Sequence, residues 1–150
     1  MKQSVFEVDN SKKRTTERMV RVGNYDEVNY LITEGIKKGK FPIQHEVKGR
    51  RKIVVLDDDC DFTSQEVIIE AKRMSLSRPT YTDAFLFGEQ HPCELRNDSP
   101  IVFLHDPAYY WNTYFFYIVL DAKHHRRQLR LVSSGDRWPS KYRFAFVNNE

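Results

Sequence analysis

The chemistry that this sequence suggests starts with Glu70 and Lys72, which follow a β-branched run at residues 67–69. If the run is a strand, its side chains alternate between two faces, and Glu70 and Lys72 share one face. A carboxylate beside an ammonium group can hold a divalent metal ion and orient a water molecule for attack. Residues 57–70 carry six acidic side chains and no basic one. The spacing therefore predicts metal-dependent hydrolysis of a phosphodiester bond.

The elements before this pair would have to position it. Asn24 followed by Glu27 resembles a capping box, and apolar residues at helical spacing continue from there to a stop at Gly39, which predicts a helix. Residues 41–47 and 52–56 are predicted strands, and the acidic turn follows them. Residues 64–75 allow two interpretations, because Thr63 to Glu66 resembles a helix cap whereas the β-branched run favours a strand. The strand is the preferred interpretation.

The C-terminal half predicts a short helix at residues 82–89 and strands at residues 101–104, 114–120, 128–132 and 141–147. In the last strand Tyr142, Phe144 and Phe146 point inward, and Lys141 and Arg143 point outward. The predicted class is α+β, with a mixed or antiparallel sheet, an N-terminal helix and a C-terminal β-meander. The polar residues 1–22 are predicted to form a flexible basic arm, and residues 23–150 a single domain.

The order of helix, two strands, acidic turn and a third strand with Glu-x-Lys resembles the core of the PD-(D/E)xK nuclease superfamily, over residues 25–72. Asp61 matches the first acid of that pattern, and Glu70 and Lys72 match its second acid and lysine. Cys60 stands where the family usually has proline. Members often carry another acid on the preceding helix, for which Glu27 is the nearest candidate and Glu34 the second. The resemblance implies a small nuclease that cuts DNA, with Mg²⁺ held by Asp61, Glu70 and Glu27, and with Asp61, Glu70 and Lys72 as catalytic residues.

A second group of residues predicts nucleic-acid binding. Residues 121–143 contain seven basic side chains and two acids, and residues 37–52 contain seven basic side chains and one acid. Basic surfaces of this kind bind phosphates. The predicted contacts in the C-terminal half are Lys123, His124, Arg126, Arg127, Arg130, Lys141 and Arg143. Tyr109, Tyr110, Trp111 and Trp138 are candidates for stacking on bases. The alternative function is therefore a non-catalytic accessory factor that binds nucleic acid or protein through this basic sheet.

Two further patterns are weaker. Asp59-x-Asp61 after a strand is similar to the nucleophile motif of haloacid-dehalogenase-like phosphatases, but the predicted meander is not the doubly wound sheet of those enzymes. His124 and His125 have the residue types of the acid and base of a metal-independent ribonuclease. Adjacent residues on a strand point to opposite faces, so that arrangement needs an irregular loop.

Composition and length limit the remaining possibilities. The chain has 150 residues, 40% hydrophobic content and a net charge of +3, which predicts one folded domain. No apolar run approaches the roughly 20 residues that span a bilayer, and residues 1–10 lack the apolar core of a secretory signal. Cys60 and Cys93 match no metal-binding spacing and predict reduced thiols. We expect a cytoplasmic protein with no membrane partner.

Overall fold

The computed structural model describes residues 1–12, 14–44, 48–106, 116–133 and 137–148. Its described part forms an α+β fold with one mixed sheet, whose strands are β1 (Lys2–Asn10), β2 (Glu27–Val28), β3 (Gly49–Asp57), β4 (Ile101–Phe103), β5 (Phe116–Lys123), β6 (Arg126–Ser133) and β7 (Arg143–Asn148). The α-helices are α1 (Thr16–Gly23), α2 (Tyr30–Lys37), α3 (Ser64–Arg73) and α4 (Tyr81–Gln90), and a short 3-10 helix lies at Pro92–Glu94. The longest helices have ten residues, about half of what a membrane-spanning helix needs.

The first element is a strand, so the predicted N-terminal helix is wrong. β1 pairs antiparallel with β3 along all nine of its residues, and α1 follows it. The range 1–22, which we expected to be a flexible arm, therefore contributes an edge strand and a helix. The apolar positions Phe6 and Val8 explain why this polar segment docks, because both pack into the core. Composition alone did not indicate that.

The helix predicted from Asn24 onward begins later than predicted, at Tyr30. Asn24 ends α1 with φ of 53°, a left-handed conformation that asparagine tolerates at helix C-termini. Two residues of β2 follow, and α2 begins after Asn29, whose side chain accepts a hydrogen bond from the Leu31 backbone N–H. The predicted stop at Gly39 is confirmed, with φ of 68° just after α2. The strand predicted at residues 41–47 is not formed at residues 41–44, and residues 45–47 lie outside the described residues.

Helices cover both faces of the sheet. On one face, called here the three-helix face, Ile53 and Val55 of β3 pack in a core cluster with residues of α1, α2 and α4. On the other, called the α3 face, Val54 and Leu56 pack with Val67 and other residues of α3. This alternation of two buried sides explains why residues 53–56 are apolar without interruption.

The C-terminal strands do not form a meander. β5 and β6 form an antiparallel hairpin, but β7 lies between β3 and β4, antiparallel to β3 and parallel to β4. The order across the sheet is β1-β3-β7-β4-β5-β6-β2. Two strands therefore separate β7 from β6, and a surface shared by Lys141 and Arg130 on neighbouring strands does not exist.

Candidate nucleic-acid interface

Residues 64–73 form helix α3, so the predicted strand at residues 67–72 is wrong. Thr63 and Glu66 make a complete capping box, in which each side chain bonds the other's backbone N–H. Val67, Ala71 and Met74 recur at helical spacing and pack against the sheet. The cap and this apolar stripe outweigh the strand preference of the β-branched run.

The helix separates Glu70 from Lys72. Two residues along an α-helix are about 200° apart around its axis, so their side chains diverge. Glu70 is instead paired with Arg73, with 3.2 Å between Glu70 Oε2 and Arg73 Nη1. Lys72 is exposed in the last turn, where a positive charge interacts favourably with the helix dipole. The geometry that suggested a positioned water molecule is therefore absent from this segment.

The other proposed metal ligands are also apart. Asp61 is exposed in the loop before α3, and its backbone carbonyl accepts a hydrogen bond from Arg137. Glu27 lies on β2, at the far edge of the sheet, and four strands separate β2 from β3. Within the described ranges, no group of three acidic, histidine or cysteine side chains is arranged to hold a metal ion. The donor set that the nuclease resemblance implied does not fit Mg²⁺ here.

The turn between β5 and β6 is unusual in its backbone. His124 and His125 have φ angles of 52° and 63°, so both central residues of this two-residue turn are left-handed. Such a type I′ turn suits the twist of a hairpin, but its preferred sequences are Asn-Gly and Asp-Gly. Asn97 supports the turn by accepting a hydrogen bond from the His125 backbone N–H at 2.9 Å. The tip therefore holds two exposed imidazoles on a left-handed backbone, a conformation that is uncommon for non-glycine residues although histidine adopts it more often than most.

Acidic neighbours reduce the positive charge of the hairpin. Arg126 lies 3.5 Å from Glu27, and both side chains are more than half exposed. Arg130 lies 2.9 Å from Asp121, on the α3 face of the hairpin. Among the described residues, Lys123 forms no ion pair, and it is exposed at the end of β5. Lys123, the two histidines and Arg126 thus form the accessible basic group, called here the hairpin tip.

Arg127 has a structural role. Its guanidinium lies over the Tyr25 ring, 5.5 Å from the centroid, and its Nη1 donates to the Asn24 carbonyl at 3.3 Å. Its backbone exchanges hydrogen bonds with Asp26, which joins α1's end to the hairpin. These contacts take Arg127 out of the accessible basic group.

Tyr25 itself occupies a slot made by glycines, and this gives a test of the packing. A Cβ added at Gly88 of α4 would lie 1.7 Å from the Tyr25 hydroxyl oxygen. That hydroxyl is buried with no hydrogen-bond partner in the described part, and burial raises the pKa of Tyr25. We expect Gly88→Ala to cost about 1–3 kcal/mol of unfolding free energy through overpacking, and much less when combined with Tyr25→Phe. Urea denaturation of the four variants of this cycle measures the coupling.

The control for this cycle is Gly35→Ala. Its added Cβ would meet the Phe41 ring at 2.6 Å and is not among the contacts of Tyr25. Tyr25→Phe should therefore leave the cost of Gly35→Ala unchanged. Equal costs of Gly88→Ala in both backgrounds would contradict the predicted slot.

Arg143 is not an outward-facing phosphate contact, contrary to the sequence prediction. It is only 4% exposed, and its Nη2 donates to the backbone carbonyls of Glu94 at 2.8 Å and Ser99 at 2.7 Å. The alternation of β7 was predicted correctly, since Phe144 and Phe146 share the α3 face. The error came from treating the other face as solvent, whereas it too is covered.

Of the four aromatic residues proposed for base stacking, the structure describes only Trp138, and its position does not suit that role. Trp138 is 3% exposed, and its indole Nε1–H donates to the Ser64 hydroxyl at 2.8 Å. It is a core residue beneath α3. Tyr109, Tyr110 and Trp111 lie outside the described residues. Lys141 is exposed, and its ammonium lies 5.8 Å from the centroid of the Tyr142 ring.

A second basic surface was indicated only by the charge count of residues 37–52. Lys48, Arg50 and Lys52 line a cavity of about 350 Å³ at the start of β3, together with Glu7 and Asn148. All three cations are exposed, and Arg50 is 4.0 Å from Asp9. This surface, called here the β3 groove, lies far from the hairpin tip, because β5 and β6 join at the opposite end of the sheet.

In a third concave region, the charged side chains of the described lining are paired. It is a cavity of about 280 Å³ whose lining includes Arg51, Arg78 and His105. Arg78 donates to the carbonyls of Leu104 and His105, both at 2.9 Å, and its Nη1 lies 3.1 Å from Asp106. These contacts compensate the positive charge of Arg78 and make this region structural.

Comparisons of the chain with protein-family models, with curated proteins and with solved structures find no match. The class that the fold defines is an α+β protein with a seven-stranded mixed sheet in its described part.

Proposed function

We propose that this domain binds nucleic acid without cleaving it, and that the hairpin tip makes the contact. The observation that carries the proposal is the left-handed backbone of both His124 and His125 at an exposed turn. A non-glycine residue in this conformation costs free energy, and such positions concentrate at sites of binding or catalysis. Two histidines thus occupy turn positions at which asparagine and glycine would fold more easily.

The charge of the tip favours a phosphate ligand. Lys123 and Arg126 flank the histidines on the two strands, and their Cα positions are paired across the hairpin. The ion pair of Arg126 with Glu27 is long and exposed, so it stabilises the fold little and a phosphate group can replace the carboxylate. Contacts of this kind bind the backbone in a salt-dependent and sequence-independent way.

The test is fluorescence anisotropy with a random duplex and a random single strand at several salt concentrations. We expect Lys123→Ala with Arg126→Ala to weaken binding to both and to reduce the slope of log affinity against log salt by roughly 0.9 per lost contact for the duplex. The matched control is Lys72→Ala with Arg73→Ala on α3, which removes the same charge from a different surface. That control should change the slope little.

The left-handed turn can be tested by substituting both histidines. His124→Asn with His125→Gly should raise the free energy of unfolding by about 1 kcal/mol or more, because the new residues suit the turn. The same variant should bind more weakly, since the imidazoles are lost. A variant that is more stable and binds equally well would contradict the role of the histidines.

Two binding results would overturn the assignment of the contact to the hairpin tip. One is a wild-type protein that fails to bind either oligonucleotide at micromolar concentration in low salt. The other is loss of binding in Arg50→Ala with Lys52→Ala while the hairpin variant binds normally, which would place the contact in the β3 groove. A plasmid-nicking assay with Mg²⁺ is expected to leave the plasmid intact, and cleavage that Glu70→Ala abolishes would restore the nuclease hypothesis.

A further inference from the structure

Strand β1 is an edge of the sheet, and only part of that edge is protected. Its nine residues pair with β3 on one side. At the other side, the Gln90 side chain bonds both the N–H of Asp9, at 2.8 Å, and its carbonyl, at 2.9 Å. The His91 ring bonds the carbonyl of Glu7. The end of α4 and the residue after it thus cover the second half of the edge.

These contacts fix the direction of every backbone group in β1. In an antiparallel pair, the N–H and C=O of one residue point to the same side, and the side alternates along the strand. Because the groups of Asp9 point away from β3, those of Glu7, Val5 and Gln3 do as well. Within the described residues, the N–H and C=O of Gln3 and Val5 have no partner. Val5 is also 58% exposed.

Open strand edges pair with other strands, and proteins usually block them with proline, bulges, short length or charged side chains such as lysine. Residues 2–6 are regular strand without proline, and Lys2 at the start of the segment is its single charged side chain. The unpaired groups also form a symmetrical set, since Gln3 and Val5 lie on either side of Ser4. Two copies placed antiparallel about a twofold axis at Ser4 would bring Gln3 of each opposite Val5 of the other.

We propose that this chain self-associates through β1, with a twofold axis at Ser4. The pairing satisfies the N–H and C=O groups of Gln3 and Val5 in each copy, through four intermolecular hydrogen bonds in total. It places Lys2 of one copy opposite Phe6 of the other, so the long lysine stem covers a half-buried ring. The antiparallel arrangement also places the end of β1 that carries Lys2 beside the end of its counterpart that carries Glu7, with the two side chains on opposite faces of the extended sheet. A parallel arrangement would place like charges together.

Disulfide trapping tests the register. In a background with Cys60→Ser and Cys93→Ser, Ser4→Cys places two thiols opposite each other in a non-hydrogen-bonded pair, where Cα atoms are about 4.5 Å apart. We expect a covalent dimer on mild oxidation. Lys2→Cys in the same background is the control, because its two copies would be offset by four residues, or about 13 Å along the strands, and should not join. Equal trapping at both positions would overturn the register.

Sedimentation velocity over a concentration series tests the association itself. Val5→Pro removes an outward N–H without touching the β3 hydrogen bonds, and an edge strand tolerates proline there. We expect the wild type to dimerise with rising concentration, Val5→Pro to remain monomeric with the melting temperature that the wild type shows at low concentration, and Val5→Thr, which keeps the N–H, to dimerise. The proposal is overturned if the wild type stays monomeric and the Ser4→Cys variant gives no covalent dimer. A Val5→Pro variant that is folded and still dimerises overturns it as well.

Discussion

Replacing Asp83 with alanine is expected to lower the free energy of unfolding by about 3–5 kcal/mol. Asp83 is completely buried in the first turn of α4. Its two carboxylate oxygens accept hydrogen bonds from Arg51 Nε at 2.8 Å and Arg51 Nη2 at 2.9 Å. It also accepts from the Thr80 backbone N–H at 2.8 Å, which completes the capping box of the helix. The substitution therefore removes the carboxylate that pairs with a mostly buried guanidinium, and it removes a helix cap.

Urea denaturation measures this loss. One further variant separates the effect of charge from that of size, and another gives the cost of breaking an exposed ion pair. Asp83→Asn keeps the size of the side chain and removes its charge, so it should recover only part of the loss. Glu70→Ala breaks the exposed pair with Arg73, and it should cost well under 1 kcal/mol. If Asp83→Ala costs no more than Glu70→Ala, the ion pair between β3 and α4 does not stabilise the fold as the contacts indicate.

The strands and helices that the sequence predicted well are those with strong local signals. Residues 52–56, 101–104 and 128–132 lie in or next to β3, β4 and β6, and residues 82–89 lie within α4. Apolar runs and alternation determine such elements without reference to the rest of the chain. In α3, by contrast, the capping box and the β-branched run gave opposite predictions. The packing of Val67 and Ala71 beneath the sheet decides between them, and it is not visible in one segment of sequence.

The order of strands was beyond the sequence. Consecutive strands are often neighbours, which favoured a meander of β5, β6 and β7. β7 instead pairs with β3, nearly a hundred residues earlier in the chain. That position buries both faces of β7. Arg143 is therefore a buried side chain that donates hydrogen bonds to backbone carbonyls, and not a surface cation. The position of β7 between β3 and β4 thus explains why the predicted meander does not form and why Arg143 is not a phosphate contact.

The sequence predicted where the candidate site lies, but it did not predict how far nearby acids offset the positive charge of the site. Lys123, His124 and Arg126 are exposed at the hairpin, as the charge run and turn position indicated. The acids that reduce this charge could not be assigned from local sequence. Glu27, for example, lies about a hundred residues from its partner Arg126 and reaches it only because β2 pairs with β6. Such partners depend on long-range pairing.

Acidification is expected to destabilise the fold through His105 by about 3 kcal/mol as the pH falls from about 6.5 to about 4. His105 is 1% exposed, and burial lowers its pKa from 6.5 to about 4. The Ile118 backbone N–H donates to Nε2 at 3.1 Å, so the ring proton is on Nδ1, which donates to the Asp106 carbonyl at 2.8 Å. A second proton would have to displace the Ile118 contact, and the nearby Arg78 guanidinium also disfavours the cation, although the Asp106 carboxylate favours it.

The sign follows from proton binding in the two states. Between pH 6.5 and 4 the unfolded chain holds a proton on His105 and the folded chain does not, so protonation favours unfolding and stability rises with pH. Carboxylates with lowered pKa values, such as Asp9 and Glu66, contribute to stability in the same direction. The comparison with His105→Gln isolates the histidine, because that variant keeps every carboxylate. Unfolding free energies measured at half-unit steps from pH 7.5 to 4 should fall more steeply for the wild type than for the glutamine variant. Parallel curves would mean that His105 is protonated in the fold at no cost, which is incompatible with a buried ring that accepts a hydrogen bond from Ile118.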